Sequence, residues 1–187
     1  MTMILCAKTK TGVAIVADKQ NRIYENGEYK FENNLKKFST IKNTIVYNHG
    51  YNMINNEYWL SYKEKLNKNV LFTDIYQTIL KEMETKIDKI AHYVFIEKSR
   101  TEIIINANDN TIKTIDHGNF IKSGSGTKYI TDLPDQFFDG NYWNNIEVKL
   151  AQTHLIEMFN IAYDKQVLNN DNLFSKEYDH FIKYFAL

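Results

Sequence analysis

Apolar residues alternate with polar ones, or form short runs, over the first twenty residues, and this pattern is typical of strands. Residues 3–8 alternate weakly and residues 13–17 form a short apolar run, with the turn-forming segment KTG at 10–12 between them. The pattern therefore predicts an antiparallel hairpin. Because such a hairpin brings its two outer ends together, we expect Thr2 and Asp18 to lie within side-chain reach of each other.

Further strands are predicted before the first change of periodicity. Residues 22–32 are polar around a single glycine and predict an exposed hairpin, and residues 35–41 and 44–47 predict two strands separated by a KN turn. Lys36 and Lys37 are consecutive on the first of these strands, so their side chains point to opposite faces. One of the two ammonium groups must therefore point inward or be covered.

Beyond residue 50 the apolar positions recur at helical spacing. Two helices are predicted by Met53, Ile54, Trp59, Leu60 and Leu66, and by Ile75, Ile79, Leu80, Met83, Ile87 and Ile90, the second capped by Thr73. Two more are predicted by Ile146, Leu150, Leu155, Phe159 and Ala162, and at the C-terminal end by Phe174, Tyr178, Phe181, Ile182 and Phe185.

Strand-like segments return between the second and third of these helices, reading HYVFIE, TEIIINA, NTIKTI and NFIKSGSG. The order is thus strands, helices, strands and helix. This order favours an α+β fold of stacked sheets with helices outside over alternating βαβ units.

Composition limits the classes of protein that the chain can belong to. Its 187 residues are 43% hydrophobic and 14% aromatic, which is enough for one domain, 1–187, with a sizeable core. The 23 basic side chains balance 23 acidic ones, so no nucleic acid or membrane partner is expected. The single Cys6 cannot form an internal disulfide, and together with the lack of a secretory pattern it predicts a cytoplasmic protein.

Six residues of these segments form a pattern in a fixed order. They are Thr2, Asp18 at the end of the second strand, Lys37 in NLKKF, Gly50 after a later strand, Ser125 within GSG, and Asp164 late in the long helix. In this order and spacing, the chain from residue 2 to about residue 164 resembles the proteasome β-subunit and HslV group of N-terminal nucleophile hydrolases. The resemblance implies a four-layer αββα sandwich of two antiparallel sheets flanked by helices.

The resemblance also implies a chemistry. Removal of Met1 would give Thr2 both a hydroxyl nucleophile and an α-amine, with an unperturbed pKa of about 8, that can take the hydroxyl proton. A nearby Lys37 ammonium would lower the pKa of that amine, and Asp18 would hold Lys37 in place. Gly50 would supply an oxyanion-binding N–H. Ser125 would hydrogen-bond to the Thr2 amine with support from Asp164.

Two positions depart from the pattern that the resemblance implies. Arg22 stands where the related proteins carry a threonine on a substrate-binding strand, and Val167 stands where a serine usually follows the late aspartate. Both departures leave more than one function open.

The main hypothesis is a threonine peptidase or amide hydrolase within a homo-oligomeric ring, acting on peptides or unfolded chains, with a possible separate ATPase unfoldase. A catalytically inactive structural or binding subunit is the alternative, and an amidase for a small non-peptide amide is a third. The chain carries no HExxH motif, cysteine pair or nucleotide-binding glycine loop, so neither a metal nor a cofactor is expected.

Overall fold

The computed structural model describes residues 2–41, 44–50, 53–54, 57–58, 61–62, 72–85, 91–98, 101–106, 112–116 and 119–185. The chain forms two compact units. The first combines Met1–Lys37 with Gly118–Leu187, and the second is Phe38–His117.

The first unit contains a four-stranded antiparallel sheet with the strand order β12-β1-β2-β13. The four strands are β1 (Ile4–Lys8), β2 (Gly12–Asp18), β12 (Phe120–Ser123) and β13 (Tyr178–Tyr184). Strands β1 and β2 pair in the register Leu5↔Val16, which confirms the hairpin expected at the start of the chain.

A long helix, α3 (Val148–Leu168), packs against one face of this sheet. A helix is confirmed in this region, but Ile146 of the predicted pattern precedes it and Leu150 is exposed. The buried positions of α3 lie mostly three or four residues apart, as expected for an amphipathic helix. They are Val148, Ala151, Leu155, Met158, Phe159, Ala162 and Gln166. Between β12 and α3 the chain forms two 3-10 helices (Ser125–Ile130 and Asp135–Phe138) and the short helix α2 (Gly140–Asn144).

The predicted C-terminal helix is wrong, because residues 178–184 form strand β13 instead. This strand pairs with β2 over its whole length, from Tyr178↔Asp18 to Tyr184↔Gly12. The apolar spacing fits a helix, but pairing with β2 gives partners to the backbone groups that face each other across the two strands, so tertiary context overrides the local pattern. Gly12 makes the pairing possible, since a Cβ atom there would lie 2.3 Å from the backbone oxygen of Lys183.

The first unit also carries the predicted exposed hairpin, formed by β3 (Gln20–Glu25) and β4 (Glu28–Asn33). Its two turn residues, Asn26 and Gly27, have φ values of 52° and 86°. Asn-Gly is the preferred pair for a two-residue turn with both φ values positive, so this turn is encoded locally.

The second unit contains a five-stranded antiparallel sheet with the order β11-β10-β9-β6-β5. Its strands are β5 (Phe38–Ile41), β6 (Thr44–Gly50), β9 (Ala91–Ile96), β10 (Thr101–Asn106) and β11 (Ile112–Asp116). The helix α1 (Phe72–Thr85) packs on it, with Ile75, Ile79 and Met83 in one apolar cluster with Val46, Tyr93 and Phe95. Thr73 lies inside this helix, one residue after its start.

The helix predicted from residue 53 is wrong at its start. Met53–Ile54 is a short strand, β7, that pairs with β8 (Glu57–Tyr58). A few apolar residues at helical spacing do not distinguish a helix from strands when the segment is short. Trp59, Leu60 and Leu66 lie outside the described residues, as do Ile87 and Ile90 of the second predicted helix.

The two units together confirm an α+β chain with antiparallel sheets and few helices. The four-layer sandwich and the single domain 1–187 stay predictions. Among the described residues, every helix is too short or too polar to span a lipid bilayer.

The close contact of β2 with β13 predicts a stability effect. Gly12→Ala should lower the free energy of unfolding by about 1–3 kcal/mol, because its Cβ atom would overlap backbone that cannot move without breaking the strand pairing. Urea denaturation measures the change. Gly140→Ala is the matched control and should stay within about 0.5 kcal/mol, since its nearest non-local atom would be 4.0 Å from the new methyl group.

Candidate active site

Asp18 lies at the end of β2, opposite the start of the chain. Its backbone N–H donates to the Met3 oxygen at 3.0 Å, which continues the β1–β2 pairing to this point. One carboxylate oxygen, Oδ1, accepts hydrogen bonds from Thr2 Oγ1, Met3 N and Lys37 Nζ, each at 2.7 Å. The other, Oδ2, accepts from Gln20 N at 3.0 Å. Asp18 is fully buried, and these four bonds hold its carboxylate in one orientation.

Lys37 is the lysine of the NLKKF segment that points inward, and Lys36 is exposed. The Lys37 ammonium donates to both Thr2 Oγ1 and Asp18 Oδ1. Burial lowers the pKa of Lys37 below its ordinary value, and the charge and hydrogen bond of Asp18 offset part of that effect. The buried ammonium is thus paired with a carboxylate and contacts the Thr2 hydroxyl oxygen.

Ser125 reaches Thr2 from a third segment, the GSG turn between β12 and the first 3-10 helix. Thr2 N donates to Ser125 Oγ at 3.4 Å, and Gly126 N donates to Thr2 O at 3.1 Å. Gly124 has a φ of 95°, and a Cβ atom there would lie 2.3 Å from Thr2 O. Both the conformation and the close approach require glycine at this position.

The chemistry available to this cluster follows from its hydrogen-bond directions. Thr2 Oγ1 donates its one proton to the Asp18 carboxylate and accepts from the Lys37 ammonium. A nearby positive charge stabilises an alkoxide and therefore makes the hydroxyl easier to deprotonate. Thr2 N, in contrast, is a peptide nitrogen while Met1 is attached, and a peptide N–H is a donor with no basic lone pair. Only removal of Met1 creates a base at this atom.

The structure brings together four of the six predicted site residues, namely Thr2, Asp18, Lys37 and Ser125. Gly50 ends β6 in the second unit, with a φ of 83°. Asp164 is exposed on α3, and no hydrogen bond among the described residues joins it to Thr2 or Ser125. Val167, the second departure from the expected pattern, is also exposed.

Asp171 connects to the Ser125 segment although the sequence patterns did not single it out. It follows the end of α3, and its carboxylate accepts hydrogen bonds from Lys128 Nζ at 2.6 Å and from the Tyr129 hydroxyl. These hydrogen bonds lower the pKa of Asp171. The signal in the sequence was the segment DNLFS, in which a serine follows the aspartate at a spacing one residue longer than the expected one.

Other candidate chemistry has no support in the described residues. Cys6 lies buried in β1, and burial raises the pKa of its thiol far above the ordinary value, so it is not a nucleophile. Within the ranges that the structure describes, no three His, Cys, Asp or Glu side chains cluster as metal ligands do. The expectation that no metal takes part stays a prediction.

The Asp18–Lys37 pair predicts a large loss of stability when one partner is removed. Asp18→Ala should lower the free energy of unfolding by about 3–5 kcal/mol, because it leaves the buried Lys37 ammonium without its counter-charge. Chemical denaturation near neutral pH measures the loss. The exposed Asp135→Ala should change stability by less than about 0.5 kcal/mol. A loss below about 1 kcal/mol for Asp18→Ala would mean that Lys37 reaches solvent.

The lowered pKa of Lys37 predicts a pH dependence. The unfolded chain keeps the Lys37 proton up to about pH 10.4, whereas the folded chain releases it earlier. The unfolded state then binds more protons, so stability rises with pH between the two pKa values. Wild-type protein should therefore gain stability relative to Lys37→Met as the pH rises toward that value. The measurement is the free energy of unfolding of both proteins by denaturation at a series of pH values. A difference between the two proteins that stays constant with pH would contradict this prediction.

Comparison with known proteins and solved structures shows which fold this chain has. The sequence matches no known family profile, and it matches no curated protein. Eukaryotic HslV from Trypanosoma brucei superposes with a TM-score of 0.58 at 14% identity, covering 96% of this chain and 98% of that one. Anbu (ancestral beta-subunit) from Yersinia bercovieri gives 0.61 at 11% identity, covering 97% and 81%. Thiobacillus denitrificans BPH in complex with epoxomicin gives 0.63 at 9% identity, covering 99% and 100%. The chain therefore has the HslV- and proteasome-like fold, as the resemblance in its sequence implied.

Proposed function

We propose that this protein is a threonine-type N-terminal nucleophile hydrolase, a peptidase or amide hydrolase that uses Thr2 after removal of Met1. One observation carries the proposal. The Thr2 hydroxyl oxygen lies between a buried ammonium, Lys37, and a buried carboxylate, Asp18, which also bond to each other. A threonine with a purely structural role at the start of a strand requires no charged neighbour. Burying an ammonium and a carboxylate costs free energy unless the two groups pair with each other or take part in a reaction.

The proposed reaction begins when Met1 is removed and Thr2 N becomes an amine. Its unperturbed pKa is about 8, and the Lys37 ammonium nearby lowers that pKa, so a neutral amine is available to take the hydroxyl proton. Thr2 Oγ1 then attacks the substrate carbonyl carbon and forms a tetrahedral intermediate. The amide C–N bond breaks as the Thr2 ammonium returns the proton to the leaving amine. Water then hydrolyses the ester on Thr2 and restores the free hydroxyl.

Two further roles belong to the proposal through the resemblance alone. The Gly50 N–H would bind the oxyanion of the tetrahedral intermediate, and Asp164 would support Ser125. Asp164 is exposed, and this does not support a role for it beside Ser125. Asp171, in contrast, hydrogen-bonds to the 3-10 helix that begins at Ser125.

The proposal also covers the layer arrangement of the fold and the partners of the protein. The larger sheet of each unit has a helix packed on it, and a four-layer αββα sandwich needs layers of this kind. A homo-oligomeric ring, peptide or unfolded-chain substrates, a separate ATPase unfoldase and a cytoplasmic location are all proposed from the likeness to HslV. Exposed apolar residues on α3, among them Leu150, Ile161 and Leu168, favour self-association.

A catalytically inactive structural or binding subunit is the second candidate, and one observation favours it. Thr2 is only 5% exposed, and its hydroxyl proton is directed to Asp18. A nucleophile so enclosed must be uncovered before a peptide carbonyl can reach it.

Reaction with epoxomicin separates the two candidates. A peptide epoxyketone forms a stable ring adduct only with a hydroxyl and a free amine on one residue. Untagged protein should therefore lose Met1 and gain the mass of one inhibitor molecule per chain in intact-mass spectrometry. Thr2→Ala should gain none and should lose peptidase activity by at least about 10³-fold.

Thr9→Ala is the matched control, because Thr9 is equally buried but its hydroxyl, among the described residues, hydrogen-bonds to Thr11 and Gly12. It should form the adduct as wild type does. Retention of Met1 without any adduct would support the inactive subunit, whereas loss of Met1 without any adduct would indicate a pocket that rejects peptides. Full peptidase activity in Thr2→Ala would exclude Thr2 as the nucleophile.

A further inference from the structure

The connection between α3 and β13 is held by a buried glutamine. Gln166 is 2% exposed, near the end of α3. Its Oε1 accepts hydrogen bonds from Leu173 N at 3.0 Å and from Phe174 N at 3.3 Å, and its Nε2 donates to Phe174 O at 2.7 Å. One side chain therefore satisfies three backbone groups of this connection, two of them fully buried.

Phe174, held in this way, packs directly on the GSG turn. It is fully buried, and its ring lies so close to Gly126 that a Cβ atom there would be 2.6 Å from Phe174 Cδ1. The same Cβ atom would be 2.9 Å from Met3 Cβ. On its other side Phe174 meets the ring of Phe159 at a centroid distance of 5.2 Å. The ring is thus wedged between α3 and the turn.

Gly126 and its neighbour Ser125 both bond to Thr2. Gly126 N donates to Thr2 O at 3.1 Å, and Ser125 Oγ accepts from Thr2 N. A displacement of Phe174 therefore acts on the turn that places the Ser125 hydroxyl at the atom that becomes the Thr2 amine.

We propose that Gln166 is a positioning residue, which sets Ser125 against Thr2 N through Phe174 and Gly126. The inference rests on the proposed function of Thr2, but its structural part stands without catalysis. Packing transmits the constraint because the interior is close-packed and the contact at Gly126 leaves no free space. Without the Gln166 amide, two buried backbone groups of Phe174 and the half-buried N–H of Leu173 lose their partners, and the connection must shift to reach water.

Amide hydrogen exchange tests the structural part. In Gln166→Leu, the Gly126 amide should exchange about tenfold or more faster than in wild type, as measured by NMR, because its bond to Thr2 O opens locally. The increase should be larger at Gly126 than at the Ile15 amide in the centre of β2, which distinguishes local opening from general unfolding. Gln152→Leu is the matched control, since Gln152 lies on the same helix and its side chain, within the part of the chain that the structure describes, hydrogen-bonds to His180. It should leave Gly126 exchange unchanged.

A double-mutant cycle tests whether the effect passes through Ser125. Gln166→Leu and Ser125→Ala should each slow epoxomicin adduct formation by about 10- to 100-fold, and the double variant should be no slower than the slower single one. Both single variants should also shift the acid limb of the pH profile to lower pH. The reason is that loss of an oxygen that accepts from the Thr2 ammonium lowers the pKa of that amine.

Three outcomes would overturn the inference: unchanged Gly126 exchange in Gln166→Leu, multiplicative effects in the double variant, or an unshifted pH profile. If Gln166→Leu does not fold, Phe174→Leu replaces it, because the smaller side chain weakens the contact with Gly126 while Gln166 keeps its hydrogen bonds to the backbone. It should give a smaller increase in Gly126 exchange, and an unchanged rate would overturn the inference equally. Failure of wild type to form an adduct contradicts the proposed function, whereas the exchange result at Gly126 still decides the role of Gln166.

Discussion

The buried pair of Asp18 and Lys37 is the interaction on which the rest of the site depends. Two opposite charges removed from water need each other, and Asp18 is further held by two backbone N–H groups. The pair can form only if β2 ends at Asp18 and the segment before β5 brings Lys37 inward. Thr2 then completes the arrangement, since its hydroxyl contacts both charges.

Glycine packing provides the second constraint on the same site. Gly124 and Gly126 lie on either side of Ser125, and a side chain at the first would overlap Thr2 while one at the second would overlap Phe174. The GSG motif is therefore required by close approach on both sides. This explains why a short and otherwise common motif was informative here: each of its residues contacts the start of the chain or the connection that follows α3.

The hairpin could be predicted because it depends on a local rule: alternation with a turn at 10–12 places Thr2 near Asp18. The strand predicted over 35–41 begins only at Phe38, so strand alternation does not explain why Lys37 is buried. The resemblance, and no local rule, indicated Lys37 over Lys36. The C-terminal segment shows where such rules fail. Its apolar spacing fits a helix, yet β2 offers an unpaired edge, and the backbone hydrogen bonds across that edge decide the conformation.

The sequence by itself determined the α+β order and the early hairpin, because side-chain periodicity is a property of the chain. Its resemblance to HslV and proteasome β-subunits, and no local rule, indicated the group of Thr2, Asp18, Lys37 and Ser125. Only the tertiary structure decided which acidic residue near the end of α3 meets the Ser125 segment. Asp164 and Asp171 are both aspartates near the end of α3, so residue type does not distinguish them. The helix directs Asp164 to solvent, whereas the connection after the helix brings Asp171 to Lys128 and Tyr129. Long-range packing therefore decides which aspartate lies beside the Ser125 segment, and a local sequence pattern does not predict it.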